Sequence, residues 1–425
     1  MIQRLKQFMA GPIAGATLRT SAVLGLRLFA QACTLLLVAR MLGPHNFGAF
    51  AGVAALAVML GTLSTFGTHI VLLAEVSRDP QRRAGVLPFA LSTTLICGSL
   101  LFALYLLLAT TLLGAAGIGT SVLVALGLAE LILQPLLNLP SAEHQGHGRI
   151  ATSQLLITLP LALRLLAAAT VWLLHPVDPL RDYAFGYLGA SALALLVATL
   201  SLRHPWPALR DWRLPRRAEL RHAAGYAVLN LTAAGPAELD KTLALKLLPL
   251  AAAGVYAAGA RVIGALTLPV IALMLSALPR LFREGQVDRT RSNRLLRWVF
   301  AATLGYSLLL AAALWIVAPL FDLLFGPRYH GLGDTIRWLT LAVPGMALRI
   351  AAGSALMALG KPWMRVGFEL GGLVVLTAAA FVLAPRLALS GLPLALAYSE
   401  WTMAVIGILM MLMLTRGTVS RADQR

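Results

Sequence analysis

The chain has 425 residues, of which 59% are hydrophobic and 12% charged, and its formal net charge is +18. So large an apolar share excludes a water-soluble globular protein of this length and requires lipid as part of the solvent. The positive charge does not indicate nucleic acid, because the basic residues form no stripe with interleaved aromatics on one folded unit.

Residues 1–16 open with Ile2, Leu5, Phe8 and Met9 on one helical face opposite Arg4 and Lys6, a pattern suited to the headgroup layer. The apolar stretch that follows is too long and too charged for a cleaved signal, so the segment is read as retained. A hydrocarbon layer takes about 20 residues of helix to cross. Stretches of that length are predicted over residues 18–39, 47–73, 87–113, 118–139, 151–174 and 183–202, and then over 223–248, 254–281, 295–325, 334–358, 364–384 and 391–414. They are continuous and rich in Leu and Ala, which favours helices over the alternating segments of a barrel. The expected fold is therefore an all-α polytopic membrane protein of about 12 transmembrane helices in two pseudo-symmetric six-helix bundles. Its expected domains are an N-terminal lobe (1–205), a cytoplasmic linker (206–222) and a C-terminal lobe (223–425). The linker carries Trp206 and Trp212 beside prolines and several arginines, so it is expected to lie along the membrane surface.

With both termini cytoplasmic, 23 of the 35 Lys and Arg residues fall on the cytoplasmic side and 7 on the other, Lys241 and Arg337 among the latter. This asymmetry obeys the positive-inside rule. Cys33 and Cys97 both lie within spans and offer no disulfide framework. The outer loops are short, none exceeding about ten residues against a usual range of about 2–8.

The halves echo one another. Val38 to Phe50, at the exit of the first span, parallels Ala244 to Tyr256, at the exit of the seventh. In both, a basic residue, two apolar residues, a Pro-containing turn and a Gly with a nearby aromatic follow in order. Both copies leave their helix toward the same side, as in a parallel transporter repeat.

Five arginines lie inside spans: Arg19, Arg27, Arg164, Arg261 and Arg349. An intramembrane charge costs at least about 2.5–3.5 kcal/mol, so it is expected to face protein or water. Thr20, Arg27, Gln31 and Thr34 share one face of the first helix, a polar stripe that implies a hydrated cavity. Guanidinium suits a phosphate there, because it binds bidentately and stays charged when partly desolvated. The plainer reading pairs Arg27 with a nearby carboxylate or has it cap a carbonyl. Arg261 and Arg349 are the second-half candidates, Arg349 being close enough to the cytoplasmic end to snorkel. Arg164 is expected either to contact substrate or to pair with Glu130. The acidic set is Glu130, Glu238, Asp240, Glu369 and Glu400. Glu238 and Lys241, three apart, are expected to pair at an exposed helix end with Asp240 off that face. The functional alternative makes Glu238 or Asp240 a coupling-ion site. His144 and His147 flank a short loop with Glu143, too few ligands for a metal, and are read as solvated. No Gly-rich phosphate cradle and no nucleophile elbow occurs, so neither ATP hydrolysis nor enzymatic catalysis is expected, and no cofactor is implied.

Ala39-Arg-Met-Leu-Gly-Pro-His-Asn-Phe-Gly-Ala-Phe50, Phe325-Gly-Pro-Arg-Tyr-His330, Leu341-Ala-Val-Pro-Gly345 and Leu359-Gly-Lys-Pro-Trp363 resemble the polysaccharide transporter, or oligosaccharide flippase, family. This is a branch of the superfamily that also holds lipid II flippases and multidrug extruders. The resemblance covers nearly the whole chain in helix count and spacing. It implies a two-lobed transporter that moves a polyprenyl diphosphate-linked oligosaccharide across the bacterial inner membrane by alternating access, for cell-surface polysaccharides such as O-antigen, lipopolysaccharide or exopolysaccharide. Cavity arginines on the first and eighth helices of lipid-flipping relatives point to Arg27 and Arg261. The expected substrate-binding set is thus Arg27, Gln31, Arg261 and Arg349, and the expected partners are the lipid-linked oligosaccharide, membrane lipids, and glycosyltransferases and a polymerase of the same pathway. Rival readings are a small-molecule or drug antiporter, a polymerase or ligase acting on the same carrier, and a non-enzymatic scaffold of a glycan assembly complex. A polymerase or ligase would need a large outer loop, which this chain lacks.

Overall fold

A computed structural model of the chain describes residues 12–112, 118–267, 269–270 and 289–417. The amphipathic segment 1–11, the end of the eighth span beyond residue 270 and the side chain of Thr20 lie outside the described residues. All described regular structure is helical: α1 (Pro12–Ser64), α2 (Thr68–Arg78), α3 (Arg83–Leu112), α4 (Thr120–Gly146), α5 (Ile150–Leu174), α6 (Pro179–Leu200), α7 (Arg217–Leu247), α8 (Leu250–Leu266), α9 (Arg289–Val317), α10 (Pro319–Phe325), α11 (Leu332–Thr340), α12 (Val343–Ala358), α13 (Pro362–Leu387) and α14 (Gly391–Gly417).

Punctuation in the sequence sets these boundaries. Proline stands in the first turn of α6, α10 and α13, where its missing N–H costs no hydrogen bond. The Asp178 side chain caps α6 by accepting from the Arg181 amide at 3.1 Å. Gly43, with φ 68° and ψ 168°, breaks α1 before Pro44 into two helical arms, each read as one pass. The predicted second span is not continuous: Phe66 and Gly67, both at positive φ, break it between α1 and α2. The ninth is interrupted before Pro319, and the tenth bends by 46° between α11 and α12. With each bent segment read as one pass, six passes precede the linker and six follow it.

Seven helical stretches among the described residues are long and apolar enough to cross a membrane, or eight if the bent pair α11–α12 counts as one span. Large apolar side chains such as Leu100, Leu173, Leu200, Leu309 and Ile316 stay more than half exposed on these helices, as lipid-facing residues do. The chain is an all-α, multi-pass membrane protein.

Two compact units divide the chain. The first runs to Leu42 and continues over Val53–Leu231; the second joins Gly43–Gly52 to Thr232–Arg425. The division therefore falls inside α7, and the turn after the first pass belongs to the second unit. In the first unit, Leu72, Val76, Leu87, Leu91 and Leu139 form a core from α2, α3 and α4. Gly61 and Gly98 let α1 and α3 press against the π-helical turn Ala129–Leu133 of α4. A Cβ at either glycine would lie 2.5 Å from the carbonyl oxygen of Glu130 or Leu131.

The linker is seated on the helix ends of the first unit. Trp206 and Trp212 pack against the α2–α3–α4 core. Arg83 donates to the carbonyls of His204 and Pro205 at 2.8 and 3.2 Å, and Arg213 donates to that of Gly85 at 2.9 Å. Indole area and guanidinium forks are better satisfied by the helix ends than by water.

The second unit is built on residues from α7, α8, α11, α12, α13 and α14, with Ala244, Tyr256, Leu339, Val343, Leu376 and Leu396 at its centre. Small residues bring helices together here too. The Ser399 hydroxyl donates to the Gly372 carbonyl at 2.7 Å, joining α13 to α14.

Candidate functional site

The intramembrane arginines with described side chains fall into two classes. Arg164, on α5, is neutralised. Its Nη2 lies 2.9 Å from Glu130 Oε1 and 2.9 Å from the Ser191 hydroxyl, and its guanidinium stacks 3.7 Å over the Tyr187 ring. Tyr187 also donates its hydroxyl to Glu130 Oε1 at 2.5 Å. The π turn places Glu130 inside the first unit, where a lone carboxylate would be costly. Of the two readings that the sequence left open for Arg164, the structure shows the ion pair with Glu130.

Arg349, on α12, is neutralised twice. Its Nε lies 2.6 Å from Glu400 Oε2 on α14, and its Nη1 lies 3.7 Å from Glu369 Oε1 on α13. Glu369 also receives Arg365 Nε at 2.9 Å. Snorkelling is overturned: Arg349 is 6% exposed and faces the interior of its unit. A charge already matched by two carboxylates has little left to offer an anionic substrate.

Arg27 and Arg261 are different. Arg27 is exposed on α1, one turn before the exposed Gln31, and has no carboxylate within ion-pair distance among the described residues. Thr34, on the same face, turns its hydroxyl back to the Ala30 carbonyl at 2.7 Å. Arg261 is half-buried on α8, and its Nε has no hydrogen-bond partner among the described residues. Each of the two units thus holds one such guanidinium on the helix named from the resemblance.

The acidic residues of α7 depart from expectation. Lys241 is 6% exposed, not at an exposed helix end. It pairs more closely with Asp240 Oδ1, at 3.1 Å, than with Glu238 Oε2, at 4.0 Å. The flexible lysine stem folds back along its own helix, so adjacent residues meet although their Cα–Cβ vectors diverge. Lys241 Nζ also donates to the Ala237 carbonyl, and the Tyr256 hydroxyl donates to Asp240 Oδ2 at 2.9 Å.

His144 is likewise not a solvated loop residue. The helix α4 extends through it, and its Nε2 meets the Ser201 hydroxyl at 2.9 Å, while buried Glu143 pairs with Arg83 at 2.8 Å. His147 is exposed. Among the described residues no group of three or more His, Cys, Asp or Glu is arranged to hold a metal, and Cys33 and Cys97 are free thiols.

The roles of Tyr187, Ser191, Glu369 and Glu400 were not read from the sequence. A signal was present for the two glutamates, because a carboxylate deep in an apolar span needs a cation, and arginines were waiting for partners.

Residues 16–284 match the model of a family described as polysaccharide biosynthesis proteins. No curated protein matches the chain. Among solved structures, a multidrug resistance MATE family transporter of the MOP superfamily, in an inward-facing conformation, is similar with a TM-score of 0.75 at 15% identity, covering 93% of this chain and 96% of that one. The lipid II flippase MurJ is similar with a TM-score of 0.72 at 10% identity, over 92% and 87% of the two chains. A MOP superfamily transporter from Pyrococcus furiosus, whose binding pocket is described as of reverse polarity, gives 0.64 at 16% identity over 96% and 97%. At these identities the likeness is one of fold.

Proposed function

The chain belongs to the polysaccharide biosynthesis protein family, and from that premise we propose that it is a flippase carrying a polyprenyl diphosphate-linked oligosaccharide across the bacterial inner membrane by alternating access. The observation that supports this most is the contrast among the intramembrane arginines: Arg164 and Arg349 are held by carboxylates, whereas Arg27 and Arg261 have none among the described residues. Unmatched guanidiniums on otherwise apolar helices suit a dianionic headgroup, with Gln31 adding an amide to the Arg27 face. The polyprenyl tail stays in lipid throughout. Arg349 shapes its unit through Glu369 and Glu400. Glu238 and Asp240 are the coupling-ion candidates, Asp240 with its carboxylate between the Lys241 ammonium and the Tyr256 hydroxyl.

Both termini lie in the cytoplasm under this reading, where glycosyltransferases make the substrate; a polymerase uses it on the other side. Transport of a labelled polyprenyl diphosphate oligosaccharide into proteoliposomes tests it. Arg27→Ala with Arg261→Ala is expected to cut the rate by about tenfold or more, the size of losing a charge-assisted hydrogen bond. Wild-type rates from the double variant would remove the site.

The fold likeness to a multidrug transporter favours a second reading, drug or metabolite antiport. Efflux of a cationic dye that depends on Asp240 but not on Arg27 or Arg261 would support that reading instead.

A further inference from the structure

A cavity of about 500 Å³ opens at one end of the second unit, where α9 and α13 finish and α11 and α14 begin. Its size is that of a small-molecule site, about 300–1,000 Å³. Trp315, from the last turn of α9, and Trp338, on α11, line it and remain 47% and 41% exposed. Between them Arg337 Nη1 lies 3.2 Å from Asp334 Oδ1, and Arg337 Nε donates to the Trp315 carbonyl at 3.5 Å. The turn from Leu387 to Ser390 completes the wall. Ala388 in that turn has φ 47°, a backbone state that is strained for a non-glycine residue and concentrated at ligand sites.

The chemistry of this cavity selects its occupant. A free phosphate gains little, because Asp334 already balances Arg337. A hydrocarbon tail has no use for a donor and an acceptor side by side. A sugar ring needs both: its C–H face lies on an indole, while its hydroxyls require donors and acceptors at the edge. We propose that this cavity is a carbohydrate subsite, on the rim that the charge asymmetry assigns to the outer side, and that it takes a sugar ring of the transported glycan. The identity of the glycan as cargo rests on the flippase reading above; the binding chemistry does not.

The test uses the full chain in lipid nanodiscs and saturation-transfer NMR, with a set of free neutral oligosaccharides built from hexose, N-acetylhexosamine and 6-deoxyhexose units. Transfer to ring C–H protons is expected for at least one of them. Affinity should weaken about tenfold in Trp338→Ala, as when one aromatic anchor is lost, and be largely kept in Trp338→Phe. Because Trp338 is exposed, its truncation leaves the core intact. If no oligosaccharide gives transfer that depends on Trp338, the subsite is wrong. If the signal follows the phosphatidylglycerol content of the disc and survives Trp338→Ala, the cavity is a lipid site in an interfacial aromatic belt, and the proposal fails. Proteoliposome transport separates the two readings. Sugar binding without wild-type transport of the lipid-linked glycan overturns the flippase and leaves the subsite; wild-type transport without sugar binding overturns the subsite alone.

Discussion

Gly48, on the second pass of α1, and Gly254, on α8, meet backbone to backbone inside the second unit. A Cβ at Gly48 would fall on the Leu250 carbonyl oxygen, and one at Gly254 on the Pro44 carbonyl oxygen. Neither obstacle is a flexible side chain, so the helices must part. Gly48→Ala and Gly254→Ala are each expected to cost about 1–3 kcal/mol by overpacking, read as a lower thermal midpoint and a smaller monodisperse fraction in detergent. Gly264→Ala, on the same α8 but with nothing within 4 Å among the described residues, should be neutral or stabilising by up to about 1 kcal/mol. Equal midpoints for all three variants would mean that the close approach is not required.

The Arg164–Glu130 pair makes a second prediction, because its members are worth more together than apart. Removing one partner leaves a buried charge unmatched, and Arg164→Met or Glu130→Leu alone should cost about 3–5 kcal/mol. The joint substitution should recover much of that loss, since neither charge then remains to be desolvated. Thermal unfolding of the four proteins forms a double-mutant cycle. Additive losses would show that the two side chains act independently.

The contact between Gly48 and Gly254 also shows how much could be read from the residues alone. The sequence revealed the two motifs as copies, each with a glycine near an aromatic, but gave no sign that the copies touch, because that depends on the packing of distant helices. Span positions were legible from apolar length. The breaks at Phe66 and at Leu341 were not: Gly67 and Pro344 stand beside them, but a glycine or a proline inside an apolar run is compatible with an unbroken membrane helix. For the arginines, the sequence showed the cost of burial and therefore the need for a partner, yet Arg349 finds two carboxylates on helices 20 and 51 residues away. Only the fold brings those together. Lys241 misled for a local reason: helical-face arithmetic treats side chains as fixed spokes, and a lysine stem bends.

Arg349 allows the structural and substrate roles to be separated. Its guanidinium addresses Glu400 and Glu369 through different nitrogens, which a lysine ammonium reproduces poorly. Arg349→Lys should therefore restore only part of the stability lost in Arg349→Met. Per folded molecule, transport should be unchanged in Arg349→Lys if the residue only holds its unit together. A transport rate that falls well beyond the loss of folded protein would return Arg349 to the substrate site.

The linker carries a pH prediction. Arg213 grips Glu219 through both terminal nitrogens, at 2.8 and 2.7 Å, and the Arg216 amide donates to the same carboxylate at 2.7 Å. The hydrogen bonds from Arg213, reinforced by that amide, hold the Glu219 carboxyl below its ordinary value. A lowered pKa in the folded state means that the clip is at full strength above the unfolded value and is lost only as pH falls through the folded one. Cleavage within residues 203–216 by an acid-tolerant protease should therefore stay slow from neutral pH down to the usual glutamate value of about 4.3 and accelerate below it. Arg213→Ala also removes the hydrogen bond to Gly85 and the guanidinium over the Phe89 ring, 4.8 Å from its centroid, so its linker should be cut faster even at neutral pH. Because the pair is partly exposed, the gain is modest, about 1 kcal/mol or less, and raised salt should shrink it further. Cleavage that is equally slow in Arg213→Ala at every pH would show that Trp206 and Trp212 alone seat the linker.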